Sequence, residues 1–267
     1  MPDTAPQADI SPRAGAAPSR SAARMPDALV TAALALGAVV SVAGFLLAFL
    51  WAPPVSGASV SEPRLIADTM VTTQLLISQK IFYIHMPVAI VSFLMLIAAC
   101  VWSVRFLMTR QMRFDTLARV SMEVALLFVV ATMATGEMWT RFEWGVWWTW
   151  EPRLTTYLVL MLIVIAYFVL RASIDSPDRR GASGAVVAIL ATIDVPICFA
   201  VTRLIPSSLH PVVLREGGMT LEMAVTVCVC LVGAALLGLV IWHVRLRQAR
   251  LAERTEEISR RLDPEED

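Results

Sequence analysis

The chain has 267 residues, of which 57% are hydrophobic and 16% are charged, and its mean hydropathy is +0.68. This composition excludes an ordinary soluble domain, because the core of such a domain must be enclosed by polar surface. The formal net charge is zero, and the enrichment of basic residues on one side of a membrane protein explains the arginines without a nucleic acid. The composition favours an integral membrane protein.

Six apolar segments are long enough to cross a bilayer as helices, which takes about 20 residues each. They cover residues 27–51, 82–108, 118–138, 154–170, 183–202 and 221–243. The sequence therefore predicts an all-α polytopic membrane protein, built as a bundle of six transmembrane helices. The first segment, of about 25 residues, is too long for the core of a cleaved signal peptide, so we expect the protein to retain it.

Basic residues are distributed unequally between the two sides of this predicted bundle. Sixteen of the 22 lie in the two terminal tails and in the loops after the second and fourth spans. Because Lys and Arg are retained on the cytoplasmic side, both termini are predicted to be cytoplasmic. The predicted organisation is a disordered tail (1–24), a six-helix membrane domain (25–245) and a charged cytoplasmic tail (246–267). The other loops then face outward, away from the cytoplasm.

A tryptophan-rich segment separates the third and fourth predicted spans. It contains five of the eight tryptophans, namely Trp139, Trp144, Trp147, Trp148 and Trp150. Tryptophan has a broad, rigid π-face and one polar N–H. We therefore interpret residues 137–155 as an outward-facing surface for a large, flat, apolar ligand. The alternative is an aromatic belt at the level of the lipid head groups, but a belt would spread the rings over many helix ends.

The chain has three histidines, and imidazole is a common ligand of transition metals and haem iron. His85 lies at the outer end of the second span, and His210 lies in the loop between the fifth and sixth spans. The predicted topology places both on the tryptophan side, so both are candidate metal ligands. His243 falls at the cytoplasmic edge and is interpreted as an interfacial residue.

Haem fits this set of residues. Two imidazoles can occupy both axial positions of the iron, and aromatic rings can cover the macrocycle. Arg141 and Arg153 flank the tryptophans and are candidates for charge-assisted pairing with the haem propionates. Zinc fits less well, because a tetrahedral site needs three or four Cys, His or carboxylate ligands and the sequence contains no such grouping.

Residues 144–155, with the sequence WGVWWTWEPRLT, resemble the tryptophan-rich WWD motif of the haem-handling proteins of cytochrome c maturation. Six spans and one histidine on each side of the motif are typical of the CcmC branch, and the resemblance runs over about residues 27–245. It implies that haem is a transient, non-covalent, b-type cargo. By position it implies axial ligands at His85 and His210, over a platform formed by Trp144, Trp147, Trp148 and Trp150.

The same resemblance implies partners. A periplasmic haem chaperone of the CcmE type receives the haem. ATPase and membrane subunits of the CcmA and CcmB types drive release of the loaded chaperone. A small membrane subunit of the CcmD type completes the set. The chain itself is expected to catalyse no reaction. Where the family usually has Asp, this chain has Glu151, followed by Pro152. The negative charge is kept, but the reach of the side chain and the freedom of the backbone differ.

Two other functions are weighed against haem delivery. A b-type electron-transfer subunit usually binds haem between histidines within its spans, whereas here both lie at the outer margin. A proton-coupled transporter would use Asp194, which lies near the middle of the fifth span, where a carboxylate is costly. A hydrogen-bonded Asp194 beside Pro196 is the alternative interpretation. Glu123, four residues after Arg119, is predicted to form an interfacial ion pair.

Two motifs that the sequence lacks argue against particular activities of this chain. The four cysteines have no C-x-x-C spacing, which argues against thiol exchange and against a c-type cytochrome. The sequence also has no G-x-x-x-x-G-K-[ST] loop, so any ATP would be hydrolysed by another subunit.

Overall fold

The structure of the protein is a computed structural model that describes residues 26–53, 64–66, 69–71, 80–205 and 219–262. Six helices account for nearly all of these residues: α1 (Asp27–Leu50), α2 (Phe82–Thr109), α3 (Met112–Glu143), α4 (Pro152–Ala172), α5 (Pro177–Leu204) and α6 (Leu221–Leu262). All six are long and apolar enough to cross a membrane. The predicted all-α, six-helix architecture is confirmed.

Several helices extend beyond the apolar segments that predicted them. Helix α3 ends at Glu143 rather than at residue 138, and α6 continues to Leu262, well past residue 243. Hydropathy detects only the part of a helix that lies in the bilayer. Arg, Leu, Ala and Glu in the α6 extension are good helix formers, and Arg261 pairs with Glu257 one turn before it.

A short antiparallel ribbon precedes α2. Its strands are β1 (Arg64–Ile66) and β2 (Thr69–Val71), with Leu65 opposite Met70. The ribbon was not predicted, because strands of three residues are too short to show the alternation that identifies a strand.

Helices α2 to α5 form the centre of the bundle, where α2 packs most extensively against α3, and α4 against α5. Their buried apolar side chains form one cluster, which includes Val91, Leu96, Met122, Val129, Leu160, Val164 and Ala188. Lipid tails are as apolar as leucine, so close van der Waals packing, rather than exclusion of water, holds these helices together.

Helix α1 packs mainly on α6, and glycines allow the two backbones to approach each other closely. A Cβ atom on Gly44 would lie 2.7 Å from Cys230 Sγ. A Cβ atom on Gly233 would lie 2.6 Å from Ser41 Oγ and 2.9 Å from the Ser41 backbone nitrogen. Neither position has room for a side chain without movement of its neighbour.

Replacing Gly233 with alanine is expected to lower the free energy of unfolding by about 1–3 kcal/mol, because the new methyl group would meet the Ser41 backbone. Gly37→Ala is the matched control, since its Cβ would meet only the side chains of Leu236 and Leu237, at 3.2 Å. Thermal unfolding of the detergent-solubilised variants measures the difference. An equal loss for both glycines would contradict this account of the interface.

The two ends of the bundle carry different side chains. At one end, where α2 and α4 end and α3 begins, Arg171 donates from Nη1 and Nη2 to the Asp115 carboxylate, at 2.6 and 2.8 Å. There Glu123 accepts hydrogen bonds from Arg119 at 3.0 Å and from Arg245 at 2.7 Å, which confirms the predicted pair of Glu123 with Arg119. We call this end, marked by these three arginines, the arginine end, and the opposite one the tryptophan end.

Candidate functional site

The candidate site lies at the tryptophan end, where four helix ends meet. His85 near the start of α2 contacts Thr135 near the end of α3, with 2.9 Å between Nδ1 and Oγ1. Arg153 near the start of α4 donates from Nε to the backbone oxygen of Cys198 near the end of α5, at 3.4 Å. The link between α3 and α4, residues 144–151, lies at this end and contains four tryptophans.

The tryptophans of this segment differ in exposure. Trp139 belongs to α3, and its ring meets the ring of Trp144 edge to face with centroids 5.2 Å apart. Trp144 is only 7% exposed, whereas Trp147 and Trp150 are 61% and 75% exposed. Trp148 is half-buried and meets Trp150 edge to face at 5.6 Å. The exposed indole faces therefore belong mainly to Trp147 and Trp150, and Trp144 packs beneath the link.

Hydrogen bonds attach the link to the end of α3. The Thr140 hydroxyl is buried and lies 3.0 Å from the Trp147 carbonyl oxygen. The exposed Arg141 guanidinium donates to the Gly145 carbonyl oxygen. Gly145 has φ +75°, a left-handed conformation that a glycine adopts without steric cost. These contacts fix the path of the backbone that presents Trp147.

Glu151 caps the N-terminus of α4. Its buried carboxylate accepts hydrogen bonds from the backbone N–H groups of Arg153 and Leu154, at 2.9 and 3.1 Å, and Pro152 is the first residue of the helix. A carboxylate is stabilised there by the unpaired N–H groups and by the helix dipole. Glu151, followed by Pro152, thus has a structural role as the cap of α4. An acidic residue directly before a proline is the local signal for it.

His85 is half-buried against α3. Its ring contacts the Thr135 hydroxyl through Nδ1 and lies directly over Gly136, where a Cβ atom would be 3.1 Å from His85 Cε1. Arg153, near the start of α4, lies at the same end of the bundle, where its guanidinium donates to the Cys198 carbonyl oxygen. The structure therefore places two of the predicted site residues, His85 and Arg153, at one end of the bundle.

The other predicted residues have different positions. Arg141 lies at the tryptophan end on the link, but its guanidinium is engaged with the Gly145 carbonyl. His210 lies outside the described residues; the flanking helix ends, Leu204 and Leu221, belong to the tryptophan end. His243 lies towards the opposite, arginine end of α6, away from the tryptophans.

Asp194 is buried in α5 and has a partner within its own helix. The thiol of Cys198, four residues later, donates to Asp194 Oδ2 at 3.4 Å. This contact agrees with the interpretation of Asp194 as a hydrogen-bonded side chain near Pro196. In the part of the chain that the structure describes, no group of three His, Cys, Asp or Glu side chains could hold a metal ion, and the four cysteines are free thiols.

Comparison with known proteins gives a consistent match. The family model for Heme exporter protein C, CcmC, matches residues 65–261. Heme exporter protein C of Bradyrhizobium diazoefficiens is 31% identical over 148 residues, which is 54% of this chain and 55% of that protein. The Escherichia coli K12 protein of the same name is 30% identical over 122 residues, or 45% of this chain and 49% of that protein.

A third relative, Heme exporter protein C of Rhodobacter capsulatus, is 31% identical over 103 residues, or 37% of this chain and 41% of that protein. The chain thus spans about two fifths to just over half the length of these curated relatives. The family model, in contrast, covers the helices that build the candidate site and well over half of the chain. The protein therefore belongs to the Heme exporter protein C family.

Proposed function

We propose that this protein binds haem at its tryptophan end and passes it to a partner, without catalysing a reaction itself. The observation that carries the proposal is the placement of an oriented imidazole, an arginine and exposed indole faces at one end of the bundle. Membership of the Heme exporter protein C family supports the same cargo. The donor set suits haem, because imidazole binds the iron, arginine pairs with propionates and indole covers the macrocycle.

The residues have distinct roles in this proposal. His85 and His210 are the axial ligands of a non-covalent, b-type haem. Trp147, Trp150 and the half-buried Trp148 contact the macrocycle, while Trp144 supports the link from beneath. Arg153 pairs with one propionate, and Arg141 pairs with the other. Arg141 can keep its hydrogen bond to the Gly145 carbonyl while doing so, because a guanidinium has five N–H donors.

The proposed orientation follows the distribution of basic residues. The arginine end, with both termini, faces the cytoplasm, and the tryptophan end faces the periplasm across a bacterial inner membrane. A periplasmic chaperone of the CcmE type can then reach the haem. ATPase and membrane subunits of the CcmA and CcmB types and a small subunit of the CcmD type complete the proposed complex, because the sequence has no phosphate-binding loop of its own.

Replacing both Trp147 and Trp148 with leucine is expected to weaken haem binding roughly tenfold, because two aromatic contacts of about 0.5–1.5 kcal/mol each are lost. Trp102→Leu is the matched control: Trp102 stacks on Phe114 at the arginine end, with ring centroids 6.0 Å apart. Haem titration of the detergent-purified variants gives the affinities. Native affinity in the double variant, or an equal loss in the control, would contradict the platform.

Delivery can be separated from electron transfer by mixing the haem-loaded protein with a purified apo-chaperone of the CcmE type. Delivery predicts that haem absorbance moves to the chaperone fraction when the two proteins are separated. An electron-transfer subunit would keep its haem under the same conditions. No contact in the described residues favours the transporter alternative, since the Asp194 carboxylate is hydrogen-bonded within α5.

A further inference from the structure

His85 is held by helix α3 at two neighbouring positions. Its Nδ1 atom lies 2.9 Å from Thr135 Oγ1. The next residue in the helix, Gly136, faces the ring edge, because a Cβ atom there would be 3.1 Å from Cε1 and 3.8 Å from Nδ1. We call Thr135 and Gly136 together the His85 support.

The Thr135 contact favours one tautomer of His85 over the other. A threonine hydroxyl has one hydrogen and two lone pairs. Thr135 Oγ1 lies 2.8 Å from the Ala131 carbonyl oxygen and 3.1 Å from the Thr132 carbonyl oxygen, and both of these atoms only accept. A hydroxyl hydrogen that is donated within α3 leaves the Thr135 oxygen to accept from His85. This arrangement puts the proton on Nδ1 and the lone pair of a neutral ring on Nε2.

Gly136 limits the position of the same ring. A glycine inside a helix makes the helix less stable than an alanine would. The close approach of the His85 ring explains why a glycine is present at position 136. A methyl group at 3.1 Å from Cε1 would move the ring by a few tenths of an ångström. The hydrogen bond thus favours one tautomer, and the glycine sets how closely the ring lies on α3.

We propose that Thr135 and Gly136 are positioning residues that present His85 Nε2 to the haem iron. This inference rests on the proposed function, in which His85 is an axial ligand. Histidines that bind metals almost always donate their second N–H to a neighbouring acceptor, which fixes the tautomer and increases the basicity of the ligating nitrogen. Here the acceptor is a neutral hydroxyl that is itself anchored to a helix carbonyl, and the proposed role of both residues is exerted through His85.

The test compares Thr135→Val, which removes the acceptor but keeps the shape of the side chain, with Thr135→Ser, which keeps the hydroxyl. Thr135→Val is expected to weaken haem binding about 10- to 100-fold and to shift the Soret band and the reduction potential of the bound haem. Thr135→Ser should have the native affinity, Soret band and reduction potential. Thr226→Val is the control, because the Thr226 hydroxyl is buried and donates to the carbonyl oxygen four residues earlier, within α6.

Gly136→Ala provides an independent test that keeps the Thr135 hydroxyl. It is expected to change the spectrum of bound haem by moving the ring, with the variant still inserted in the membrane. A purely structural role for the support would lower thermal stability and leave the spectrum and potential of bound haem unchanged. That result, or a Thr135→Ser variant as impaired as Thr135→Val, would overturn the inference.

Failure of the inference can be distinguished from failure of the proposed function. If His85→Ala loses haem while Thr135→Val matches the native protein in affinity, spectrum and potential, the support has no positioning role and the ligand assignment stands. If His85→Ala retains native haem binding, the ligand assignment itself is wrong, and the inference falls with it.

Discussion

Replacement of His85 by alanine is expected to produce the largest loss of function, with haem binding weakened by more than about 100-fold. Loss of a partner that only orients a ligating histidine costs about 10- to 100-fold in affinity, and loss of the ligand itself must cost more. The measurement is the absorption spectrum of the detergent-purified protein, oxidised and reduced. The Soret band should weaken or shift in His85→Ala, and also in His210→Ala.

His243→Ala is the matched control, since it also replaces a histidine with alanine but does so in α6 towards the arginine end. It should retain the native spectrum. Full haem occupancy in both His85→Ala and His210→Ala would refute the assignment of the axial ligands. The absence of haem from every sample, even with the partner proteins co-expressed, would instead favour the proton-coupled transporter that uses Asp194.

Replacement of Asp115 by alanine is expected to give the largest loss of stability, about 3–5 kcal/mol in the free energy of unfolding. Asp115 and Arg171 are each only 8% exposed and form two parallel hydrogen bonds. Removing Asp115 takes the carboxylate from a buried guanidinium, which keeps only its longer contact with the Arg180 carbonyl oxygen, at 3.4 Å. Loss of one partner of a buried ion pair costs far more than the net value of the pair. Gly181 and Gly184 of α5 lie against the pair, so little space remains for rearrangement or for water.

Asp178→Ala is the control for this prediction, because it breaks another Arg–Asp pair at the same end of the bundle. Asp178 and Arg110 are 65% and 55% exposed, so their pair should contribute less than about 1 kcal/mol. Thermal unfolding in detergent compares the variants. The double variant Asp115→Leu with Arg171→Met should recover most of the loss, since a buried ion pair can be replaced by apolar packing. Equal losses for Asp115→Ala and Asp178→Ala would contradict the account.

Some site features could be predicted from local sequence. Five of the eight tryptophans are concentrated within twelve residues, and His85 could be placed at the end of an apolar segment without any knowledge of packing. The cap formed by Glu151 also had a local signal, because Pro152 follows it directly. The assignment of His210 as the second ligand stays a prediction, since His210 lies outside the described residues.

Other features depended on contacts between distant residues. Thr135 is 50 positions from His85, and Thr residues within helices are common enough that nothing in the sequence distinguishes this one. In the sequence, Gly136 is only an isolated glycine within a helix, and its contact with the His85 ring is visible only in the structure. The predicted platform treated four tryptophans alike, whereas packing against Trp139 buries Trp144 and leaves Trp147 and Trp150 exposed.

The sequence by itself determined the number of spans, the difference between the two ends and the rare side chains that are candidates for binding haem. Hydropathy and composition are properties of consecutive residues and need no partner to be read. Only the tertiary structure decided which side chain of α3 contacts the His85 ring and which indole faces are exposed. The His85–Thr135 contact joins two helices that are distant in the sequence and that the close packing of the bundle brings within hydrogen-bonding distance.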